Sequence, residues 1–219
     1  MVSCLSMFLL CCTVVTKLPY EADTFTSIYF CPGDPCSSVM EKLLNNANQS
    51  IYCAFYDLDL IKVKNMLYEK SKEIEVKVFL EGDNFENFSN FVKKEKGSAY
   101  QHNKFCIIDS SIVFTGSMNP TENGAYKNNN NLIVIKSRIL ANNYHEEFIE
   151  LWNNAPHNRT QQPILNLSGS IFKNYFCPED NCRDKVKNEI KQANKSINFL
   201  LFSFTDRGIA TEIILKYMG

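Results

Sequence analysis

The sequence predicts an α/β fold in which a mixed β-sheet lies between helices, with one complete half and the start of a second. Segments typical of strands alternate with segments typical of amphipathic helices, and this alternation is characteristic of α/β/α layers. Residues 50–56 are apolar throughout, as expected of a strand that is covered on both faces. The pattern F-C-P-x-D-x-C begins at Phe30 and again at Phe176, 146 residues later, and therefore indicates an internal repeat.

The first fifteen residues are apolar and carry no charged side chain. They are shorter than the roughly 20 residues that a helix needs to cross a bilayer. Their length and position suit a signal peptide or a weak membrane anchor. We therefore predict such a segment over residues 1–24, in a protein that is exported or membrane-associated, with a buried first strand as the alternative.

Hydrophobic periodicity assigns the elements of a first domain, which we predict to span residues 25–155. Helices are identified by apolar residues three and four positions apart, and strands by short runs of β-branched and aromatic residues. The expected elements are strand 26–31, helix 36–47, strand 50–56, helix 60–71, strand 75–80, a polar helix or loop 84–96, strands 105–109, 112–115 and 132–135, and helix 138–152.

A polar, proline-containing segment follows, and we assign residues 156–169 to a linker. Residues 170–219 then repeat the opening of the first domain without completing it. The expected elements are strand 170–177, helix 182–193, strand 196–204 and the start of a helix at 209–217. Because this second sheet is unfinished, apolar side chains such as Phe199, Leu201 and Phe202 should be poorly covered.

The chain contains nine cysteines. Two C-x4-C pairs occur at equivalent positions of the repeat, Cys31 with Cys36 and Cys177 with Cys182. In an exported protein each pair would form a local disulfide. A single zinc site built from all four sulfurs is the alternative, although this spacing is looser than that of most zinc sites. Cys53 and Cys106 lie in apolar strands, and we predict that they are core thiols.

Six residues between Ala99 and Gly124 follow the pattern H-x-K-x4-D-x6-G-S-x-N. They are His102, Lys104, Asp109, Gly116, Ser117 and Asn119. The dipeptide Ser110-Ser111 separates two predicted strands and is short enough for a two-residue hairpin turn.

That turn would place His102 opposite Asn119 and Lys104 opposite Ser117, with all four side chains on one face. Such a patch suits a phosphodiester. An ammonium group can hold a phosphate oxygen, a hydroxyl and an amide can donate hydrogen bonds, and an imidazole can attack phosphorus or move a proton. The alternative is a hairpin whose polar side chains merely face water.

The pattern resembles the HKD motif of the phospholipase D superfamily. The resemblance implies that family's α/β/α fold and the cleavage or transfer of phosphodiesters through a covalent phosphohistidine, without a metal or cofactor. It implies that His102 is the nucleophile or its acid partner, that Lys104 and Asn119 bind phosphate, and that Ser117 supports them. Asp109, the third letter of the motif, falls on the opposite strand face, and we interpret it as structural.

The resemblance also implies a residue that steadies the motif histidine. Asn130 matches that position by spacing, where the family often has glutamate, and an amide would bring no charge to the ring. In two-motif members each half contributes one motif to a shared site. Here the equivalent of His102 would lie beyond Gly219, so we expect the isolated chain to be catalytically incomplete. The second motif would come from a further C-terminal segment or from a homodimer partner.

The substrate class remains open between a phospholipid and a nucleic acid, as in the small single-motif endonucleases of the superfamily. A non-catalytic module that binds phosphate is a third interpretation. The net charge of −1 disfavours nonspecific binding to nucleic acid, which depends on lysine and arginine side chains that neutralise phosphates. We therefore expect a phospholipid substrate, with membrane association through the N-terminus as a further expectation.

Overall fold

The computed structural model of the chain describes residues 17–96 and 101–218. It confirms the α/β class, with a seven-stranded mixed sheet between helices and a second sheet of three strands. Most of the predicted N-terminal leader, residues 1–16, lies outside the described residues. Within the described ranges, no helix combines the length and the apolar character that a membrane span requires.

The elements follow one another closely along the chain. In order they are β1 (Tyr20–Glu21), β2 (Phe25–Cys31), α1 (Cys36–Asn45), β3 (Ser50–Phe55), α2 (Ile61–Lys70), β4 (Glu75–Leu80), β5 (Val92–Lys94), β6 (Lys104–Ile108), β7 (Ile112–Gly116), α3 (Glu122–Tyr126), β8 (Asn130–Lys136), α4 (Arg138–Asn153), β9 (Ile164–Leu167), β10 (Ser170–Lys173), α5 (Cys182–Gln192) and α6 (Arg207–Met218).

The large sheet has the strand order β2-β8-β7-β6-β3-β4-β5. Strands β3, β4 and β5 are parallel, and the remaining neighbours pair antiparallel. Every residue of β3 is buried, as its apolar sequence predicts. Helices α1 and α2 cover one face through side chains such as Met40 and Val63. Helix α4 covers the other face, where Phe148 packs with Phe105.

The hairpin between β6 and β7 differs from the prediction by one residue. Ile108 pairs with Ile112, so the connecting loop contains three residues rather than two. Asp109 and Ser110 both adopt positive φ angles, of 51° and 49°. The carboxylate of Asp109 accepts hydrogen bonds from the backbone amides of residues 48, 49 and 50 at 2.7–3.1 Å. These bonds hold Asp109 in the loop and out of the ladder.

The predicted cross-strand pairs are therefore wrong. Phe105 pairs with Thr115, so the pairing of His102 with Asn119 and of Lys104 with Ser117 does not occur. The regular ladder also ends at Gly116, because the next two amides of the chain both donate to the carbonyl oxygen of Asn131, at 3.2 and 3.3 Å. This is the pattern of a β-bulge, which bends the strand where the motif continues.

Two further assignments need correction. Residues 164–167, assigned to the linker, form β9, which pairs with β1 and β10 and buries Leu165 completely. Residues 84–96, predicted as a polar helix or a loop, form a loop that also contains the short strand β5. The predicted strand 196–204 is absent, since this apolar segment pairs with no strand among the described residues. The side chains of Phe199, Leu201 and Phe202 are accordingly exposed. The division of the chain into domains stays a prediction.

Three cysteine pairs lie at bonding distance. Both local bridges, one in each copy of the C-x4-C pattern, are present with Cα atoms 5.8 Å apart. Their sulfurs are consequently not ligands of a shared zinc ion. The interpretation of Cys53 and Cys106 as core thiols is wrong, because they form a third bridge between β3 and β6. The antiparallel register places these two residues directly opposite each other, with Cα atoms 4.0 Å apart.

Candidate active site

The motif lies at the edge of the large sheet that the strand ends form, where five central strands begin or end. Strands β3 and β4 are parallel, so their carboxyl ends at Phe55 and Leu80 coincide. Strand β6 runs antiparallel to β3 and begins at this edge with Lys104. Strand β7 ends here at Gly116, and β8 begins here at Asn130. Residues that follow or precede these termini therefore converge although they are distant in sequence.

His102 and Lys104 meet around the ring of Tyr56. The imidazole lies edge-on to this ring, with centroids 4.6 Å apart. The ammonium nitrogen of Lys104 lies 5.0 Å from the ring centroid and donates a hydrogen bond to the carbonyl oxygen of His102 at 2.9 Å. An ammonium group has three donors, so two remain for an anionic ligand. The aromatic face and the two motif side chains thus form one compact unit.

Burial lowers the pKa of the His102 imidazole below its ordinary value, and the positive charge of Lys104 lowers it further. The carboxylate of Glu81 acts in the opposite direction. The neutral form of the ring is therefore favoured at pH 7. A neutral imidazole has the free electron pair that a nucleophile or a general base requires.

Lys104 is electrostatically unusual because its ammonium group is poorly solvated. Burial lowers its pKa to about 8, although the negative charge of Asp57 opposes this shift. The pKa of Asp57 is itself raised, first by burial and then by the charge of Asp59, while Lys64 and Lys104 oppose the rise. A charged lysine with incomplete solvation is well suited to bind a phosphate oxygen.

Glu81 and Gln101 fix the segment that leads to His102. The buried carboxylate of Glu81 accepts a hydrogen bond from the backbone amide of Gln101 at 2.5 Å. The side-chain oxygen of Gln101 in turn accepts from the amide of Asn103 at 2.9 Å. These two bonds place the backbone on both sides of His102.

Ser117 and Asn130 contact each other rather than His102. The hydroxyl of Ser117 donates to Asn130 Oδ1 at 3.0 Å and accepts from the amide of Asn131 at 3.0 Å. The amide group of Asn130 also donates to the carbonyl oxygen of Gly124 at 2.9 Å. The structure thus does not bring Asn130 into hydrogen-bond contact with the imidazole, and its expected orienting role stays a prediction.

Gly116 is required where β7 and β8 approach closely. It has a φ of 141°, and a Cβ atom there would lie 2.3 Å from the carbonyl oxygen of Asn131. Nearby, Asn119 is half-buried, and its side-chain oxygen has no hydrogen-bond donor among the described residues. No described contact joins Asn119 to His102.

Asp109 lies at the far end of β6. It follows Lys104 by five residue steps, which correspond to about 17 Å along a strand. Its carboxylate accepts hydrogen bonds from Asn48 and Gln49 in the turn before β3 and from Ser50, the first residue of β3, which agrees with its interpretation as structural.

The other two histidines of the chain lie elsewhere. His145, on α4, packs against the ring of Tyr52, with centroids 5.4 Å apart. His157 lies beside Glu147 and Glu150. The candidate site therefore contains one imidazole from this chain.

Sequence reasoning missed Tyr56, Asp57 and Glu81. A signal was available, because Tyr56 and Asp57 directly follow the buried strand β3 and Glu81 directly follows β4. Polar residues after the carboxyl ends of adjacent parallel strands are expected to lie together.

The chain matches known proteins over this region. A family model described as "Cardiolipin synthase, PLD-like domain" matches residues 40–152. The mitochondrial cardiolipin hydrolase of Xenopus tropicalis is 34% identical over 61 residues, which is 28% of this chain and 29% of that protein. A phospholipase D of Rickettsia bellii is 28% identical over 134 residues, covering 56% of this chain and 67% of that protein.

Among solved structures, Nuc from Salmonella typhimurium, a phospholipase D family member, superposes with a TM-score of 0.55. The superposition covers 61% of this chain and 97% of that one, at 20% sequence identity. This similarity supports the fold. The match to the frog hydrolase spans less than a third of either protein.

Proposed function

The chain belongs to the PLD-like domain family of the phospholipase D superfamily, and from this premise we propose that it is a phosphodiesterase whose nucleophile is His102. The observation that carries the proposal is that the His102 imidazole and the partly buried Lys104 ammonium group meet around the ring of Tyr56, where burial lowers the pKa of both groups. This combination provides an electron pair for phosphorus and a positive charge for its oxygens.

In the proposed first step, the imidazole attacks phosphorus and the bond to the leaving oxygen breaks. A phosphohistidine forms, and the leaving alkoxide takes a proton from a separate acid. Lys104 neutralises charge that develops on a non-bridging oxygen. In the second step, the conjugate base of that acid takes a proton from water as the water attacks phosphorus; the P–N bond breaks, the phosphomonoester is released and the imidazole is free again. An alcohol in place of water would give transfer. This route uses no metal ion.

The separate acid is not available from the other histidines, which lie outside the site. We propose that it is the corresponding histidine of a second motif, from a second copy of this chain or from a further segment. The isolated chain should then bind substrate and form the phosphohistidine from an activated ester, but should react poorly with natural esters, whose leaving alkoxide needs the acid.

We propose a phospholipid as the substrate class. Matched relatives are named mitochondrial cardiolipin hydrolase and phospholipase D, and the net charge of −1 provides little attraction for polynucleotides. A nuclease is the alternative, which the exposed side chains of Lys93, Lys94 and Lys96 near the motif favour.

We further propose that the protein is exported or membrane-associated. Three disulfides within one chain are typical of an oxidising compartment.

The proposal is tested with an aryl phosphodiester and two natural substrate classes. A nitrophenyl leaving group departs as a stabilised anion, so its release reports attack by His102 even when no second acid is present. His102→Asn should abolish this release, whereas His145→Asn is a matched control that should retain it. A chelator should leave the release unchanged at a temperature where circular dichroism shows the chain folded. Equal release by wild type and His102→Asn would refute the proposal.

The substrate class is then decided by comparing anionic phospholipid vesicles with single-stranded DNA over a wide range of protein concentration. Cleavage of the lipid alone supports a phospholipase, and cleavage of the DNA alone selects the nuclease. Activity that rises with concentration, together with a dimer in sedimentation, identifies a second copy as the source of the missing acid. Binding of either ligand without a phosphohistidine would identify a non-catalytic module.

A further inference from the structure

Side chains that can bind metal ions converge at the C-terminal end of α4. Glu147 and Glu150 lie three residues apart and therefore project from the same side of the helix. His157 follows in the segment after the helix and returns to them. Its Nδ1 atom lies 3.7 Å from a carboxylate oxygen of Glu147 and 3.6 Å from one of Glu150. Ligand atoms of all three residues lie within 4.8 Å of one another.

A second observation is the buried carboxylate of Glu179, which comes from the segment before α5 and lies beside Glu147. Both of its oxygens are inaccessible to solvent, and the hydrogen-bonding neighbour that the structure gives them is another acid, the carboxyl group of Glu147. A buried carboxylate without a partner is costly, because it has lost its hydration and gained nothing in exchange. This side chain therefore requires a cation or a proton at this place.

In the part of the chain that the structure describes, the ion pairs of Glu147 and Glu150 are with His157 alone, although Glu150 also accepts hydrogen bonds from the backbone and side-chain amides of Asn158. The last turn of α4 contains no basic residue, and the helix dipole adds negative charge at this end. Glu147 is only 6% exposed, and its other partner is the neutral amide of Asn103 at 3.4 Å.

The geometry leaves room for an ion. A cavity of about 360 Å³ adjoins the cluster and is lined by residues that include Glu147, Glu150 and Arg159. Around a tetrahedral zinc ion with bonds of about 2.0–2.1 Å, neighbouring ligand atoms lie about 3.3 Å apart. The distances from His157 to the two carboxylates, 3.7 and 3.6 Å, are only a few tenths of an ångström longer than this spacing.

We propose that Glu147, Glu150 and His157 form a divalent cation site beside the buried carboxylate of Glu179, and that zinc is the ion it prefers. One imidazole among carboxylates suits zinc better than magnesium, which favours oxygen ligands. The ion would join α4 to the segment that follows it. The ion would take no part in the phosphodiester chemistry. Helix α4 covers the face of the sheet to which the Phe105 side chain points, whereas the side chain of the preceding residue, Lys104, points to the opposite face.

The test is calorimetric titration of the chelator-treated, disulfide-intact chain with Zn²⁺ and with Mg²⁺. Wild type should bind one Zn²⁺ at this site and should unfold at a higher temperature with the ion than without it. His157→Ala changes an accessible side chain and should fold, but should bind Zn²⁺ at least tenfold more weakly. Glu147→Gln should have the same effect, and His145→Ala is the matched control that should bind as wild type does.

Cysteines outside the three disulfides could bind zinc on their own, but such binding would persist unchanged in His157→Ala. The difference between wild type and this variant is therefore the measure of the proposed site. Substitution with Co²⁺ should give visible absorption bands in wild type that weaken in His157→Ala. Failure to bind Zn²⁺, or equal Zn²⁺ affinity in wild type, His157→Ala and Glu147→Gln, would overturn the proposal.

Discussion

The titration of Lys104 should determine how the reaction depends on pH. With a pKa of about 8, the ammonium group is about 90% charged at pH 7, about 10% at pH 9 and about 1% at pH 10. Because this charge binds a phosphate oxygen, kcat/KM should fall about tenfold from pH 7 to pH 9 and about a hundredfold from pH 7 to pH 10. An unperturbed lysine would produce no such decrease below pH 10.

The assay is the pH profile of kcat/KM for an aryl phosphodiester, whose leaving group needs no proton. The alkaline limb then reports the free enzyme and not the acid of a second motif. Lys104→Arg is the matched variant, because a guanidinium group stays charged throughout this range. Its overall rate should be lower, since the geometry changes, but its profile should remain flat from pH 7 to pH 10.

An alkaline limb with the same midpoint in Lys104→Arg would show that another group titrates. A wild-type profile that stays flat to pH 10 would show that the ammonium group is better solvated than its surroundings indicate. Either result would contradict the assigned role of Lys104. Circular dichroism at each pH checks that the chain remains folded.

Three predictions concern stability and are measured by urea unfolding. Asp109→Asn should cost about 1–3 kcal/mol, because it weakens charge-assisted hydrogen bonds to three backbone amides; an unchanged midpoint would contradict this. Replacing Cys53 and Cys106 together by alanine should cost about 4 kcal/mol, from a loop closed across 53 residues; detection of two free thiols there in wild type would remove the basis of this prediction. Partial burial alone would raise the pKa of Glu21, but hydrogen bonds from Ser137 and two amides at the start of α4 lower it. Because its pKa is lowered in the folded state, the ionised carboxylate contributes stability at pH values above the carboxyl pKa of the unfolded chain, and this contribution is lost as the pH falls. Glu21→Gln should therefore lower the free energy of unfolding by about 0.5–2 kcal/mol at pH 7 and by much less near pH 3.

Local periodicity predicted most elements of the large sheet and its helices. Strand β4 was placed at its observed bounds, and α1, α2 and α4 within two residues of theirs, because these signals depend only on neighbouring residues. The hairpin register could not be obtained in this way. It depends on Asp109, whose carboxylate binds amides about 60 residues earlier in the chain.

Other errors have the same cause. The bridge between Cys53 and Cys106 requires that β3 pair with β6, and β9 forms because it meets β1 at the other end of the chain. The segment 196–204 is as apolar as a strand, but no described strand pairs with it.

The candidate site was predicted in part. The spacing of the motif identified His102 and Lys104, which the structure brings together. It also suggested that Ser117 and Asn119 would face them, which depended on the wrong register. The ring of Tyr56 contacts both His102 and Lys104, but its position depends on the order of the strands rather than on the motif.

Trapping of the covalent intermediate tests the central claim most directly. The full chain is mixed with an aryl phosphodiester, quenched within the first turnover, digested and analysed by mass spectrometry at neutral to alkaline pH. We predict a phosphoryl adduct on the peptide that contains His102, with release of one equivalent of nitrophenolate. The adduct should be absent from His102→Asn and present in His145→Asn. Nitrophenolate release without any adduct on His102, or an adduct that persists in His102→Asn, would contradict the account.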